Sequence, residues 1–144
     1  MKTLSTNELL KRLNNVDSIT ALEEYMDYTS KYHLQLTFPA YLEMHRKKAG
    51  ITPAQLIESA HIQRNYGYQI LNGTKNPGRN KVIALCLALK LPFDEVQRAL
   101  TIAKEGILYP KNPRDSILIF CINKSLSVME SNELLDVRKE ELLI

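Results

Sequence analysis

The chain has 144 residues, 44% hydrophobic and 24% charged, with a formal net charge of +3. That length holds one domain with a proper core, or a smaller domain with helical extensions, and the ordinary composition excludes a fibrous or low-complexity chain. Apolar runs such as Ile117 to Ile122 are far too short to span a membrane, and the opening MKTLSTNELLKRLNN lacks the apolar stretch of a signal peptide, so a soluble, cytoplasmic protein is expected.

The predicted elements are all helical. Ser5 with Glu8 three residues on is a capping-box signal for a helix through about Asn14, with Leu9, Leu10 and Leu13 as its apolar stripe. A second helix is predicted from about Ser18 to Tyr32, with Leu22, Tyr25, Met26 and Tyr32 at helical spacing. Thr37 before Phe38-Pro39 starts a third, because threonine caps and proline suits a first turn; it ends at Gly50. Thr52-Pro53 repeats the same start for a helix through Ser59, and another runs from about Gln63 to Asn72, closed by Gly73. After the turn-rich loop at 72–78 come apolar helices over 79–90 and 94–104. Asn112-Pro113 opens a helix through about Lys124, and a second capping box, Ser127 with Glu130, opens a last helix expected to run to about 143.

Charge is unevenly spread. Residues 38–81 carry seven Lys/Arg against two Asp/Glu, while the segments on either side are each slightly acidic. Clustered positive charge is the footprint of a phosphate-binding surface. Within this basic third, Pro53–Ser59 and Gln63–Asn72 are two helices joined by Ala60-His61-Ile62, the connection length of a helix-turn-helix unit. Projected at 100° per residue, the second of these helices puts Tyr66, Gly67, Ile70 and Leu71 on a packing side. Arg64, Asn65, Tyr68, Gln69 and Asn72 form a polar side with no acidic residue. Arginine reads guanine N7 and O6, and asparagine or glutamine reads adenine N6 and N7.

On these residues, about 38–90, with Gln55-Leu56-Ile57, a turn, then RNYGYQILNGTKNP, the chain resembles the lambda-repressor-like helix-turn-helix domain of the XRE class of regulators. The resemblance implies an all-α fold: a five-helix DNA-binding domain at 37–106, an N-terminal helical extension at 1–36 and a C-terminal helical region at 107–144. It implies base contacts from Gln63, Arg64, Asn65 and Gln69, with Tyr68 against a sugar or a thymine methyl. It also implies contacts to the DNA backbone from Thr52, Thr74, Lys75, Asn76, Arg79, Asn80 and Lys81. Arg46, Lys47, Lys48 and His45 are further phosphate candidates. Where the family usually has a small alanine, a turn glycine and an aliphatic residue, this chain has Ile57, His61 and Gly67. A large Ile57 is expected to fill the volume that Gly67 vacates, and His61 to take a positive φ.

The function so implied is a transcriptional regulator that reads double-stranded DNA in sequence, with 63–72 in the major groove, acting as a homodimer on two half-sites. The C-terminal helices are expected either to make the dimer or to cover the core. The alternative is an antitoxin or adaptor that uses the same fold to hold a protein partner. An enzyme is not expected: no nucleophile–base pair, paired-carboxylate site or glycine-rich phosphate loop stands out. Cys86 and Cys121 read as buried reduced thiols, and His33, His45 and His61 have no ligand spacing, so neither metal nor cofactor is expected.

Overall fold

The computed structural model describes residues 4–32 and 36–144; the predicted roles of His33 and of the Tyr32 side chain fall outside them. Nine α-helices and no strand occur among the described residues: α1 Thr6–Asn14, α2 Ile19–Tyr32, α3 Phe38–Ala49, α4 Pro53–Ser59, α5 Arg64–Leu71, α6 Arg79–Ala88, α7 Phe93–Ile102, α8 Pro113–Asn123 and α9 Val128–Val137. None is long and apolar enough to cross a membrane.

Most starts are set by short-range chemistry. Ser5, Thr37, Thr52, Asn112 and Ser127 each accept a backbone N–H of the first turn on a side-chain oxygen. At Thr52 and Ser127 the third helical residue, Gln55 or Glu130, returns the bond to the cap's own N–H. The helix ends share another device. Seven end in a left-handed residue, of which Gly50 and Gly73 are glycine; the others are His61, Lys90, Lys104, Ser125 and Lys139. At each, two backbone N–H groups reach back to carbonyls of the last turn, as from His61 to Glu58 (3.0 Å) and Ile62 to Ile57 (3.2 Å).

The chain divides into two compact units, 1–36 and 37–144. In the first, none of the described side chains of α1 and α2 is fully buried. They are tied by the Arg12 guanidinium over the Tyr28 ring, 5.5 Å from its centroid.

The second unit is built around α6, in which Val82 to Leu87 are all buried. Helices α4, α7 and α9 pack against it, α3 packs on α5 and α7, and α8 packs on α7 and α9. The expected boundary at 106/107 is therefore no structural break: Leu118, Cys121, Ile122, Val128 and Leu135 on the last two helices are buried in the same core. The last helix also stops earlier than its sequence suggests. It ends at Val137, and Lys139 turns the chain at φ +59°. The tail then runs back along the unit, with Leu143 buried and its N–H on Asn132 Oδ1 at 2.8 Å. Leu142 and Leu143 continue an apolar pattern, but tertiary burial after the turn supplies that pattern as well as a longer helix would.

Both cysteines are free and buried. Burial pushes the Cys86 thiol up to about 12 and raises that of Cys121, so neither is a ready thiolate. A polar cluster lies at the edge of the core. The Tyr41 hydroxyl donates to the Glu95 carboxylate, which His45 Nε2 approaches at 3.2 Å. The Tyr41 hydrogen bond, more than the neighbouring His45 and Arg98 charges, holds the Glu95 carboxyl below its ordinary range against the effect of burial.

Candidate nucleic-acid interface

Helix α5 is held by its packing side. Gly67 and Ile70 are buried and Tyr66 and Leu71 half-buried, against α3 and α4. The missing side chain at Gly67 has a specific cause: a Cβ there would lie 2.6 Å from Ile57 Cγ2 and 2.7 Å from Ile57 Cγ1. Ile57 fills the space the glycine leaves, and the two helices approach closely. The turn between them needs His61 at φ +56°. A left-handed non-glycine residue costs about 1–2 kcal/mol, part of which glycine gives back as unfolded-state entropy. His61→Gly is therefore expected to raise stability by roughly 0.5–1 kcal/mol, read as a higher urea midpoint with unchanged helicity.

The opposite side of α5 is open. Arg64, Asn65, Tyr68 and the cap residue Gln63 are exposed, and Gln69 is half-buried. The Arg64 guanidinium lies over the Tyr68 ring, 5.9 Å from its centroid, so the two form one flat platform one turn long. Gln63 is the cap rather than the first helical residue. Its Oε1 accepts the Tyr66 N–H at 2.8 Å, which leaves the amide NH2 as its outward group.

The loop beyond α5 is pinned at both ends. Thr74 N–H bonds Asn72 Oδ1 (2.9 Å), Lys75 N–H bonds the Gln69 carbonyl (3.1 Å), and Pro77 is buried. Between these anchors Thr74, Lys75 and Asn76 stand exposed on the side chain. Thr52 is exposed at the start of α4, with its oxygen engaged by the Gln55 N–H at 3.1 Å. Lys81 is half-exposed on α6.

Four other phosphate candidates have partners inside the protein. Arg79 uses four of the five N–H groups of a guanidinium: Nη1 and Nη2 bond the two oxygens of Asp115 at 2.9 Å each, Nε bonds the Gly106 carbonyl and Nη2 the Ile107 carbonyl. It is a clamp between α6, the 106–107 segment and α8. Asn80 turns its Oδ1 to Arg114 (2.9 Å), whose guanidinium also holds the Glu141 and Leu142 carbonyls. Arg46 pairs with Glu43 and bonds the Ile51 carbonyl at 2.7 Å. His45 is buried beside Glu95. The basic side chains of 38–81 outside these ion pairs and hydrogen bonds are Lys47, Lys48, Arg64, Lys75 and Lys81.

One residue that sequence reasoning passed over borders the platform. A cavity of about 280 Å³ between α4 and α5 is lined by Ala54, Ile57, Glu58, Ile62 and Arg64. Glu58 brings a carboxylate to the edge of an otherwise basic face. Its place on the preceding helix hid it from a projection of α5 alone. Among the described residues no group of three His, Cys, Asp or Glu side chains is placed to hold a metal ion.

No family model, no curated protein and no solved structure matches the chain.

Proposed function

We propose that residues 37–106 are a lambda-repressor-like helix-turn-helix unit that reads double-stranded DNA in sequence, as a transcriptional regulator does. One observation carries the reading. An eight-residue helix packs on one side and presents Arg64, Asn65 and Tyr68 on the other, preceded by the exposed Gln63 and with no acidic residue of its own. Such a helix fits a major groove about 12 Å wide. Arg64 is the guanine reader, and Asn65 and Gln69 read adenine. Gln63, with its oxygen committed to the cap, reads only an acceptor such as purine N7 or thymine O4. Thr74, Lys75, Asn76, Thr52 and Lys81 fix the register on the phosphates.

The test is selection of binding sites from a randomised duplex pool, followed by fluorescence anisotropy on the selected duplex and a scrambled one. The selected duplex is expected to bind at least about tenfold tighter, to lose that preference in Arg64→Ala/Gln69→Ala, and to weaken steeply with salt. Equal, weak binding to both duplexes, indifferent to the double substitution, would overturn the reading in favour of a protein ligand for the same face.

A further inference from the structure

The cavity between α4 and α5 has an apolar floor and a rim of opposite charges. Its floor is Ile57 and Ile62, both buried, and its rim is Ala54, Glu58 and Arg64, all exposed. An apolar cavity of about 150 Å³ already takes benzene, and drug-sized ligands occupy upward of about 300 Å³. At about 280 Å³ this one has room for a molecule somewhat larger than benzene.

The fold itself gives the two rim charges no use. Among the described residues the Glu58 carboxylate has no hydrogen-bond or ion-pair partner, and the Arg64 guanidinium meets the Tyr68 ring rather than an acid. Each also stands at the helix end that disfavours its sign. Glu58 is in the last turn of α4 and Arg64 is the first residue of α5, whereas the helix dipole favours anions at the start and cations at the end.

Whatever enters must suit both charges. A lone anion would be repelled by Glu58 and a lone cation by Arg64. A neutral molecule would take water from both charges and return no partner. A zwitterion offers an ammonium to the carboxylate and a carboxylate to the two-pronged guanidinium. In an α-amino acid one carbon carries both groups, and the side chain is free to reach the isoleucine floor, where an apolar chain gains most from leaving water.

We propose that this cavity binds a free α-amino acid with an apolar side chain, held by Glu58 at its ammonium, by Arg64 at its carboxylate and by Ile57 and Ile62 beneath its side chain. Arg64 cannot hold that carboxylate and a guanine at once, so the ligand acts as an effector that releases DNA. This last step rests on the DNA-reading proposal; the binding site does not.

The experiment is an NMR titration of the isotopically labelled full chain, following the amides of 58–64, with three probes: L-leucine, isocaproate, which lacks the ammonium, and isoamylamine, which lacks the carboxylate. Leucine is expected to shift these amides and to bind at least about tenfold tighter than either analogue. Glu58→Gln is expected to weaken leucine at least about tenfold while strengthening isocaproate, and Arg64→Gln to weaken leucine as much while strengthening isoamylamine. Opposite changes for two ligands in one variant cannot come from misfolding. No shift up to the solubility limit of leucine, equal affinity for all three probes, or variants that bind leucine as wild type does would each overturn the site. In fluorescence anisotropy on the selected duplex, saturating leucine is expected to weaken binding, and undiminished binding would overturn the effector role. The titration contains no DNA, so its failure and that of the DNA reading are separate results.

Discussion

Asp115→Ala is expected to lower stability by about 3 kcal/mol, toward the lower end of what breaking a buried ion pair costs, since the Arg79 side chain keeps some access to solvent. The carboxylate is nearly buried, accepts both arms of Arg79 and also takes the Tyr109 N–H at 2.9 Å. Its removal leaves a guanidinium and a backbone donor unpaired and unclamps α6 from α8. The acid limb of the stability curve gives a second readout. Burial works against the charged form of Asp115, but the Arg79 hydrogen bonds, the Tyr109 N–H and the Arg79 and Arg114 charges outweigh it. Its carboxyl therefore lies below its ordinary range. A depressed carboxyl contributes stability that is full above its unfolded value, near pH 4, and is lost as pH falls through the folded value. Urea midpoints of the wild type are expected to drop in that window, and those of Asp115→Asn to drop less. In Arg79→Met only the Tyr109 N–H and the Arg114 charge are left to offset burial, so the acid limb is expected to be shallower than that of the wild type. Parallel acid limbs in all three proteins would show that the pair is not a stabilising contact.

The second large effect concerns Gly67. Gly67→Ala is expected to destabilise by about 1–2 kcal/mol, although alanine is the better helix former by about 1 kcal/mol. The atoms that the new Cβ meets are Cγ2 and Cγ1 of a buried isoleucine, next to the branch point and unable to swing aside. Ile57→Ala alone is expected to cost about 2–5 kcal/mol through the lost packing and the cavity. In that background Gly67→Ala has room, and its sign reverses to a gain of about 1 kcal/mol. The double-mutant cycle is the measurement, and additive effects would refute the claim that the two residues share one volume.

Both effects bear on how much of this protein is legible in its sequence. The helix starts are, because a cap is a contact over three residues: Ser5 with Glu8, Thr52 with Gln55, Ser127 with Glu130. The two sides of α5 are also legible, since they follow from a period. The Ile57–Gly67 exchange is readable as a volume argument between neighbouring helices. The Arg79–Asp115 clamp is not, being a tertiary pair across thirty-six positions, and this is why a basic residue at a helix start invited a phosphate. The partners of Asn80 and His45 are out of sight for the same reason: Arg114 and Glu95 lie thirty-four and fifty positions away. Charge counted along the chain overstates the free positive charge whenever the compensating acid is distant.

The left-handed residues at the helix ends have a practical corollary. His61, Lys90, Lys104, Ser125 and Lys139 are side chains in a backbone region that suits glycine. Four of the five lie outside the α4–α5 turn, so exchanging them for glycine alters neither the polar side of α5 nor its supporting loop. Lys90 alone returns something, an ammonium bond to the Ser125 carbonyl at 2.9 Å. Thermal tolerance in this protein is therefore an adjustable property, set at sites separate from those that would determine what it recognises.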